Sequence, residues 1–217
     1  YSLKIGVLTF EPMPKMYFNN DIKNFRISSQ KQKINLLNRF DVDFIIIKRF
    51  NKNFSKTKSL TFIKEILAKK LKPKFIFVSN NFRFGNKREG NLQQLIKFES
   101  ACNYQIVKPR PLFLNKKMAS SSLIRNYLEK GKLEQANNLL NRKWSIEGKV
   151  QKGKQLGKKI GFPTANIDIK DYILANPGVY AVRAKRLNSS KYIKGIANLG
   201  YRPTFNGKKL LLEVHLF

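Results

Sequence analysis

Through the first half of the chain, apolar residues fall in short β-branched runs separated by stretches of helical spacing. Leu3, Ile5 and Val7 begin an extended run. In SSQKQKINLLNRF, Ser28 and Ser29 are capping candidates ahead of Ile34, Leu36, Leu37 and Phe40, which predicts a helix. VDFIIIKRF, around 42–50, is short, apolar and β-branched, SLTFIKEILAKKL (59–71) has helical spacing, and KFIFVS (74–79) reads as a strand. LQQLIKFESACNY then reads as helix and YQIVKP as extended chain. Strands alternating with helices, the strands nearly continuous in apolar residues, predict a parallel doubly wound sheet with helices on both faces. Such sheets bind ligands beyond the carboxyl ends of their strands.

From Ser120 the pattern changes. SSSLIRNYLEKG predicts a serine-capped helix closed by Gly131, and KLEQANNLLNR a second short helix, the pair forming a bridge over 120–143. After Trp144 the helical period gives way to short extended runs, SIEGKVQKG, GVYAVRAKRL, KYIKGIANLGY and KKLLLEVHLF, punctuated by Gly, Pro and Asn. A boundary is expected near residue 143, with a small antiparallel barrel over 144–217. In KKLLLEVHLF, a period of two puts Leu210, Leu212, Val214 and Leu216 on one face and Leu211, Glu213, His215 and Phe217 on the other, turning Glu213 away from the core.

The 217 residues, 42% of them hydrophobic, are enough for one large domain or two modest ones with a real core. No apolar run approaches the roughly 20 residues of a membrane helix, and YSLKIGVLTF lacks the features of a signal peptide, so a cytoplasmic protein is expected. The single Cys102 forbids an intramolecular disulfide and agrees with a reducing compartment. A net charge of +31, from 44 Lys and Arg against 13 Asp and Glu, favours polyanionic partners: nucleic acid, anionic membrane or phosphorylated small molecules. The basic residues are spread along the chain without a dense arm or basic helix, which speaks against a dedicated nucleic-acid face.

Five stretches carry candidate chemistry. In GFPTAN (161–166) a stiff Phe162-Pro163 step brings the oxygen-bearing side chains of Thr164 and Asn166 to one region. Magnesium prefers oxygen ligands and, with a nucleotide, needs only one or two from protein, so Thr164 and Asn166 are candidate ligands. The preceding VQKGKQLGKKIGF spaces Gly153, Gly157 and Gly161 among Lys154, Lys158 and other lysines, as a phosphate-covering loop or as a solvated turn; it lacks Walker A spacing. Glu213 is either a general base for an attacking hydroxyl or a solvated strand glutamate, and His215 receives no role. Ser121 and Arg125, one turn apart, are either a phosphate site or ordinary helix-start residues, while Phe82 and Phe84 in NNFRFG either wall a planar ligand or cover the sheet end.

In chain order, TFEPMP (9–14), NNFRFG (80–85), SSSLIR (120–125), GKKIGFPTAN (157–166), GVYAV (178–182), GIANLGYRPTF (195–205) and LEVHLF (212–217) resemble the prokaryotic bifunctional riboflavin kinase/FMN adenylyltransferase family, also called FAD synthetase. The resemblance covers essentially the whole chain. It implies an α/β plus β architecture: an N-terminal Rossmann-like nucleotidyltransferase domain over 1–143, linker included, and a C-terminal riboflavin kinase β-barrel over 144–217. The implied reactions are phosphorylation of riboflavin to FMN and adenylylation of FMN to FAD, with ATP as co-substrate and Mg2+ as cofactor. By the family pattern Thr164 and Asn166 hold metal and phosphates, Glu213 is the base, and Gly153, Lys154, Gly157, Lys158 and Gly161 cover the nucleotide. Ser121 and Arg125 serve the triphosphate of the adenylyltransferase, and Phe10, Pro12, Asn81, Phe82 and Phe84 its flavin.

Ala119, Ser122 and Met13 depart from the residues usual at their positions in the family. The GxFDGxHxGH signature of its adenylyltransferase is expected upstream of Tyr1, since the sole histidine here is His215, and the barrel is expected to continue past Phe217. The competing expectations are a riboflavin kinase with a degenerate first domain and, from another class, a basic nucleic-acid-binding protein.

Overall fold

The computed structural model describes residues 3–19, 21–22, 25–151, 161–169, 171–204 and 207–217. The element order follows the sequence pattern closely. Strand β1 (Gly6–Glu11) and helix α1 (Pro14–Phe18) precede α2 (Gln30–Leu37) and β2 (Phe44–Arg49). Helices α3 (Lys52–Ser55) and α4 (Ser59–Thr61) come next, the latter running on through a wide-turned π-type segment, Phe62–Leu71. Then come β3 (Phe75–Phe77), β4 (Arg83–Phe84), β5 (Gly90–Asn91), α5 (Leu92–Lys97), α6 (Glu99–Cys102), β6 (Gln105–Val107), β7 (Phe113–Leu114) and β8 (Lys117–Met118). The bridge helices are α7 (Ser121–Glu129) and α8 (Leu133–Leu140); β9 (Val150–Gln151), β10 (Ala165–Ile167), β11 (Gly178–Ala184), β12 (Ile193–Thr204) and β13 (Gly207–Leu216) complete the chain.

Local chemistry accounts for the helix starts. Ser29 caps α2 in a full capping box: its hydroxyl accepts from the Gln32 amide while the Gln32 side chain accepts from the Ser29 amide. Ser120 caps α7 by accepting from the Leu123 amide, and Gly131, at φ +70°, ends the turn that follows. The wide segment Phe62–Leu71 stops at Lys72, whose N–H donates to the Leu67 carbonyl five residues back. The expected single helix over LQQLIKFESACNY is broken at Phe98 into α5 and α6, with the Tyr104 hydroxyl donating to the Leu95 carbonyl beneath the break.

Cα packing divides the chain into two compact units that interleave along the sequence: one comprises 6–19 and 45–118, the other 1–5, 20–44 and 119–217. In the first, β3 and β6 pair in parallel, and a core of Phe62, Ile63, Leu67, Phe84, Leu95 and Tyr104 is surrounded by partly buried residues that include Leu8, Phe10 and Cys102. β1 pairs with β2. Gly85 is required at its turn: it sits at φ +75°, and a Cβ there would lie 2.8 Å from the Ser59 backbone nitrogen.

In the second unit, α7 and α8 bury Ile124, Leu128 and Ala136 against Ile173. Five antiparallel strands form a sheet in the order β11-β12-β13-β10-β9. Its inner face, Ala197, Leu199, Leu212 and Val214, packs on Ile169, Tyr172 and Ala175. The fold is therefore mixed α/β, with parallel pairings and an antiparallel five-stranded sheet. Among the described residues the parallel strands pair two by two, and the five-stranded sheet is open, with β11 and β9 at its edges.

Residues 25–32 belong to this second unit, far from it in sequence. The Trp144 indole N–H donates to the Ile27 carbonyl (2.8 Å), the Arg142 guanidinium to the Ser28 hydroxyl (2.8 Å), and the Ile173 amide to the Arg26 carbonyl (2.7 Å). Buried Gln32 donates to the Ser145 carbonyl and accepts from the Tyr172 hydroxyl, which itself accepts from the Glu147 amide. A side-chain amide and a phenol taken out of water are tolerable only with such partners.

Candidate active site

The face of β13 away from the core carries the candidate chemistry. Leu212 and Val214 are buried, so Glu213 and His215 point to the opposite side, as the period of two requires. Registers on both flanks of β13 place Asn166 of β10 directly opposite Glu213 and, on the other side, Asn198 of β12 opposite the same residue. Gln151 of β9 lies opposite Asn166. Cross-strand partners share a face, so Asn198, Glu213, Asn166 and Gln151 form one polar row across four strands. Gln151 is further held by donating to the Asp168 carboxylate at 3.1 Å.

Asn166 is 8% exposed, and its Oδ1 has no hydrogen-bond partner among the described residues. An amide oxygen buried unpaired costs about 1–3 kcal/mol, a penalty that a ligand drawing on that oxygen relieves. Thr164, two residues earlier and exposed, lies just before β10, and Gly161, at φ +82° with open space around it, provides the turn leading in. The His215 Nδ1 donates to the Pro163 carbonyl at 2.8 Å, tying the strand that bears Glu213 to the segment that bears Thr164. Asn166 and Glu213 are thus cross-strand neighbours on one sheet, with Thr164 one residue before β10. Gly153, Lys154, Gly157 and Lys158 lie outside the described residues.

Ser121 is the exposed first residue of α7. One turn on, the Arg125 Nε donates to the Phe25 carbonyl at 2.8 Å, and its guanidinium lies 3.7 Å from the centroid of the Phe25 ring. Burial pulls the Arg125 guanidinium below its ordinary value, with Glu129 pulling the other way. In the other unit, Phe10, Phe82 and Phe84 meet in one apolar cluster. Phe84 is buried beneath Phe62, Phe82 stacks on it at 5.6 Å and 21°, and exposed Asn81 accepts from the Ser79 hydroxyl. Phe10 packs against Phe50 and Phe54, and Pro12, partly exposed, follows the end of β1. Phe84 is thus a core ring, and Phe82 is the more accessible of the pair.

Sequence reasoning missed Gln151, Asn198 and the tie made by His215. The alternation in GIANLG places Asn198 between inward Ala197 and Leu199, but no local signal puts it beside Glu213.

Comparison with known proteins finds two successive family matches along the chain. A family model described as FAD synthetase matches residues 1–123, and one described as Riboflavin kinase matches 140–217. The bifunctional riboflavin kinase/FMN adenylyltransferase of Buchnera aphidicola subsp. Schizaphis graminum is 40% identical over 214 residues, covering 97% of this chain and 68% of the relative.

The chain belongs to the bifunctional riboflavin kinase/FMN adenylyltransferase family.

Two further members of the bifunctional riboflavin kinase/FMN adenylyltransferase family show similar coverage. That of Haemophilus influenzae is 38% identical over 216 residues (100% of this chain, 70% of the relative), and that of Escherichia coli K12 35% over 215 residues (99% and 68%). A crystal structure described as a macrolide-efflux protein from Streptococcus pneumoniae superposes with a TM-score of 0.81 at 24% identity, covering 99% of this chain and 69% of that one. At that identity the likeness shows the fold alone. Among the described residues, no helix is long and apolar enough to cross a membrane.

Proposed function

We propose that the chain phosphorylates riboflavin with ATP to give FMN and joins AMP from a second ATP to FMN, giving FAD and pyrophosphate. The observation that carries the kinase half is the buried, unpartnered Oδ1 of Asn166 set directly across a strand pair from Glu213. Phosphoryl transfer to an alcohol calls for such an arrangement: an oxygen donor set for the nucleotide's metal beside a carboxylate that takes the alcohol proton.

Asn166 Oδ1 and the Thr164 hydroxyl fit magnesium, a hard ion content with one or two protein oxygens when phosphates and water supply the rest. When bound, the ion neutralises charge on the transferring phosphate oxygens. Glu213 accepts the proton of the ribityl 5′-hydroxyl, and the freed oxygen bonds to the γ-phosphorus. The bond from that phosphorus to the bridging oxygen breaks, and ADP leaves with the electron pair. Gly153, Lys154, Gly157, Lys158 and Gly161 serve the nucleotide.

For the adenylyltransferase, Ser121 and Arg125 serve the triphosphate and Phe10, Pro12, Asn81, Phe82 and Phe84 the flavin. The family models matching 1–123 and 140–217 support a boundary near residue 143. They also support a Rossmann-like nucleotidyltransferase domain before it and a riboflavin kinase barrel after it. A cytoplasmic location completes the reading, consistent with the single Cys102.

The test is product formation from riboflavin and Mg-ATP, with FMN and FAD separated chromatographically. Glu213→Gln should lower FMN formation by about 10²- to 10⁴-fold while leaving Mg-ADP binding near that of the unmutated protein. Comparable FMN turnover in the variant removes Glu213 from the role of base.

A further inference from the structure

We infer that His215 is a positioning residue for the kinase nucleotide: its imidazole, where the backbone ladder has ended, seats the Pro163-Thr164 segment against β13. The inference rests on the kinase reading of Thr164, Asn166 and Glu213. The pairing of β10 with β13 runs from Ile167↔Leu212 to Ala165↔Val214. Thr164 lies one residue beyond it, and Pro163 has no N–H with which to extend the ladder.

At that point the His215 Nδ1 donates to the Pro163 carbonyl at 2.8 Å. A carbonyl only accepts, so Nδ1 carries the proton. The imidazole is also braced by two edge-on phenyl rings, Phe162 with centroids 5.5 Å apart at 66° and Phe217 at 5.8 Å and 69°. The Pro163 carbonyl and the Thr164 amide belong to one planar peptide unit. Fixing that oxygen therefore fixes the plane from which the Thr164 side chain departs. Upstream, Gly161 sits at φ +82° with nothing within 4 Å of a notional Cβ among the described residues. His215 thus couples the placement of Thr164 to the same strand that carries Glu213, which keeps donor and base in fixed relation.

The experiment uses the full-length protein and three variants, each also checked by thermal unfolding. His215→Phe keeps an aromatic ring between Phe162 and Phe217 and removes the donor; His215→Asn keeps an N–H near the Nδ1 position and removes the ring. Thr164→Ala runs in parallel. Mg-ADP binding is titrated at equilibrium without riboflavin, and KM for ATP and kcat for FMN formation are measured separately.

His215→Phe should weaken Mg-ADP binding and raise KM for ATP by about 3- to 10-fold, with kcat changed by less than about twofold, and His215→Asn should restore most of the loss. FAD formation from supplied FMN should be unchanged in both. Unaltered Mg-ADP binding in His215→Phe, with Thr164→Ala weakened, overturns the inference and leaves the kinase site standing. His215→Asn as weak as His215→Phe also overturns it, because ring packing and not the hydrogen bond would then be responsible. If Thr164→Ala also binds Mg-ADP normally, the reading of the site falls together with the role of His215.

Discussion

Asn166 stands directly opposite Glu213 on the solvent-side face of the five-stranded sheet, buried, with its amide oxygen unpaired. The carboxylate and the idle oxygen come from strands that share no local sequence, and only their register makes them neighbours. A buried acceptor without a donor is costly to the fold alone, and that cost is what makes the residue informative about a ligand.

Asn166→Leu should therefore separate stability from binding. Replacing the orphaned amide with an apolar side chain of similar size should leave the unliganded protein as stable or more stable by about 1 kcal/mol. Mg-ADP binding should fall by at least the roughly 10- to 100-fold that loss of a metal-site partner brings. Thermal unfolding with and without Mg-ADP checks both halves: the ligand-induced rise in Tm should vanish while the baseline Tm holds. A retained rise would separate Asn166 from the nucleotide.

Arg125 combines a hydrogen bond to the Phe25 carbonyl with a stack over the Phe25 ring. Arg125→Ala should slow FAD formation, spare FMN formation and lower stability by about 1–2 kcal/mol. Lysine supplies charge but not the planar fork, so Arg125→Lys should share the stability loss. Paired product assays and thermal melts test this; equal loss of both products would detach Arg125 from the adenylyltransferase.

The Tyr172 hydroxyl is the hub that joins residues 29–32 to 145–147. Tyr172→Phe strips the Glu147 amide of its acceptor and Gln32 of one donor, and should cost about 1–3 kcal/mol in urea unfolding. An unchanged midpoint and slope would mean that water replaces the phenol.

Burial pushes the Tyr104 phenol from its ordinary value of 10 up to about 12, with Cys102 and Glu99 adding to the shift. The folded state thus favours the neutral phenol. Its contribution to stability is complete below pH 10 and is lost as the pH rises towards about 12. Unfolding measured across that window should steepen in the unmutated protein, and Tyr104→Phe should flatten the difference while losing the bond to the Leu95 carbonyl. Parallel pH curves for the two proteins would contradict the assignment.

Much of the fold was legible because its signals are local. The capping box at Ser29, the serine cap of α7, and the alternation that turned Glu213 outward each depend on residues within one or two turns or pleats of one another. The same logic failed at Phe98, where a continuous helical pattern is broken over a buried tyrosine. It could not weigh Arg125 as phosphate ligand against surface charge either, since the Phe25 ring that stacks on it lies a hundred residues away.

By itself the sequence determined the element order, the inward and outward faces of β13, and the residue types able to hold a nucleotide's metal and accept a proton. Tertiary structure alone decided that Asn166 and Asn198 flank Glu213, that His215 ties down Pro163, and that residues 25–32 join the unit of the five-stranded sheet. The reason is range. Periodicity and capping act between near neighbours, whereas strand register and buried hydrogen bonds between distant segments are selected by the core that all of them must cover together.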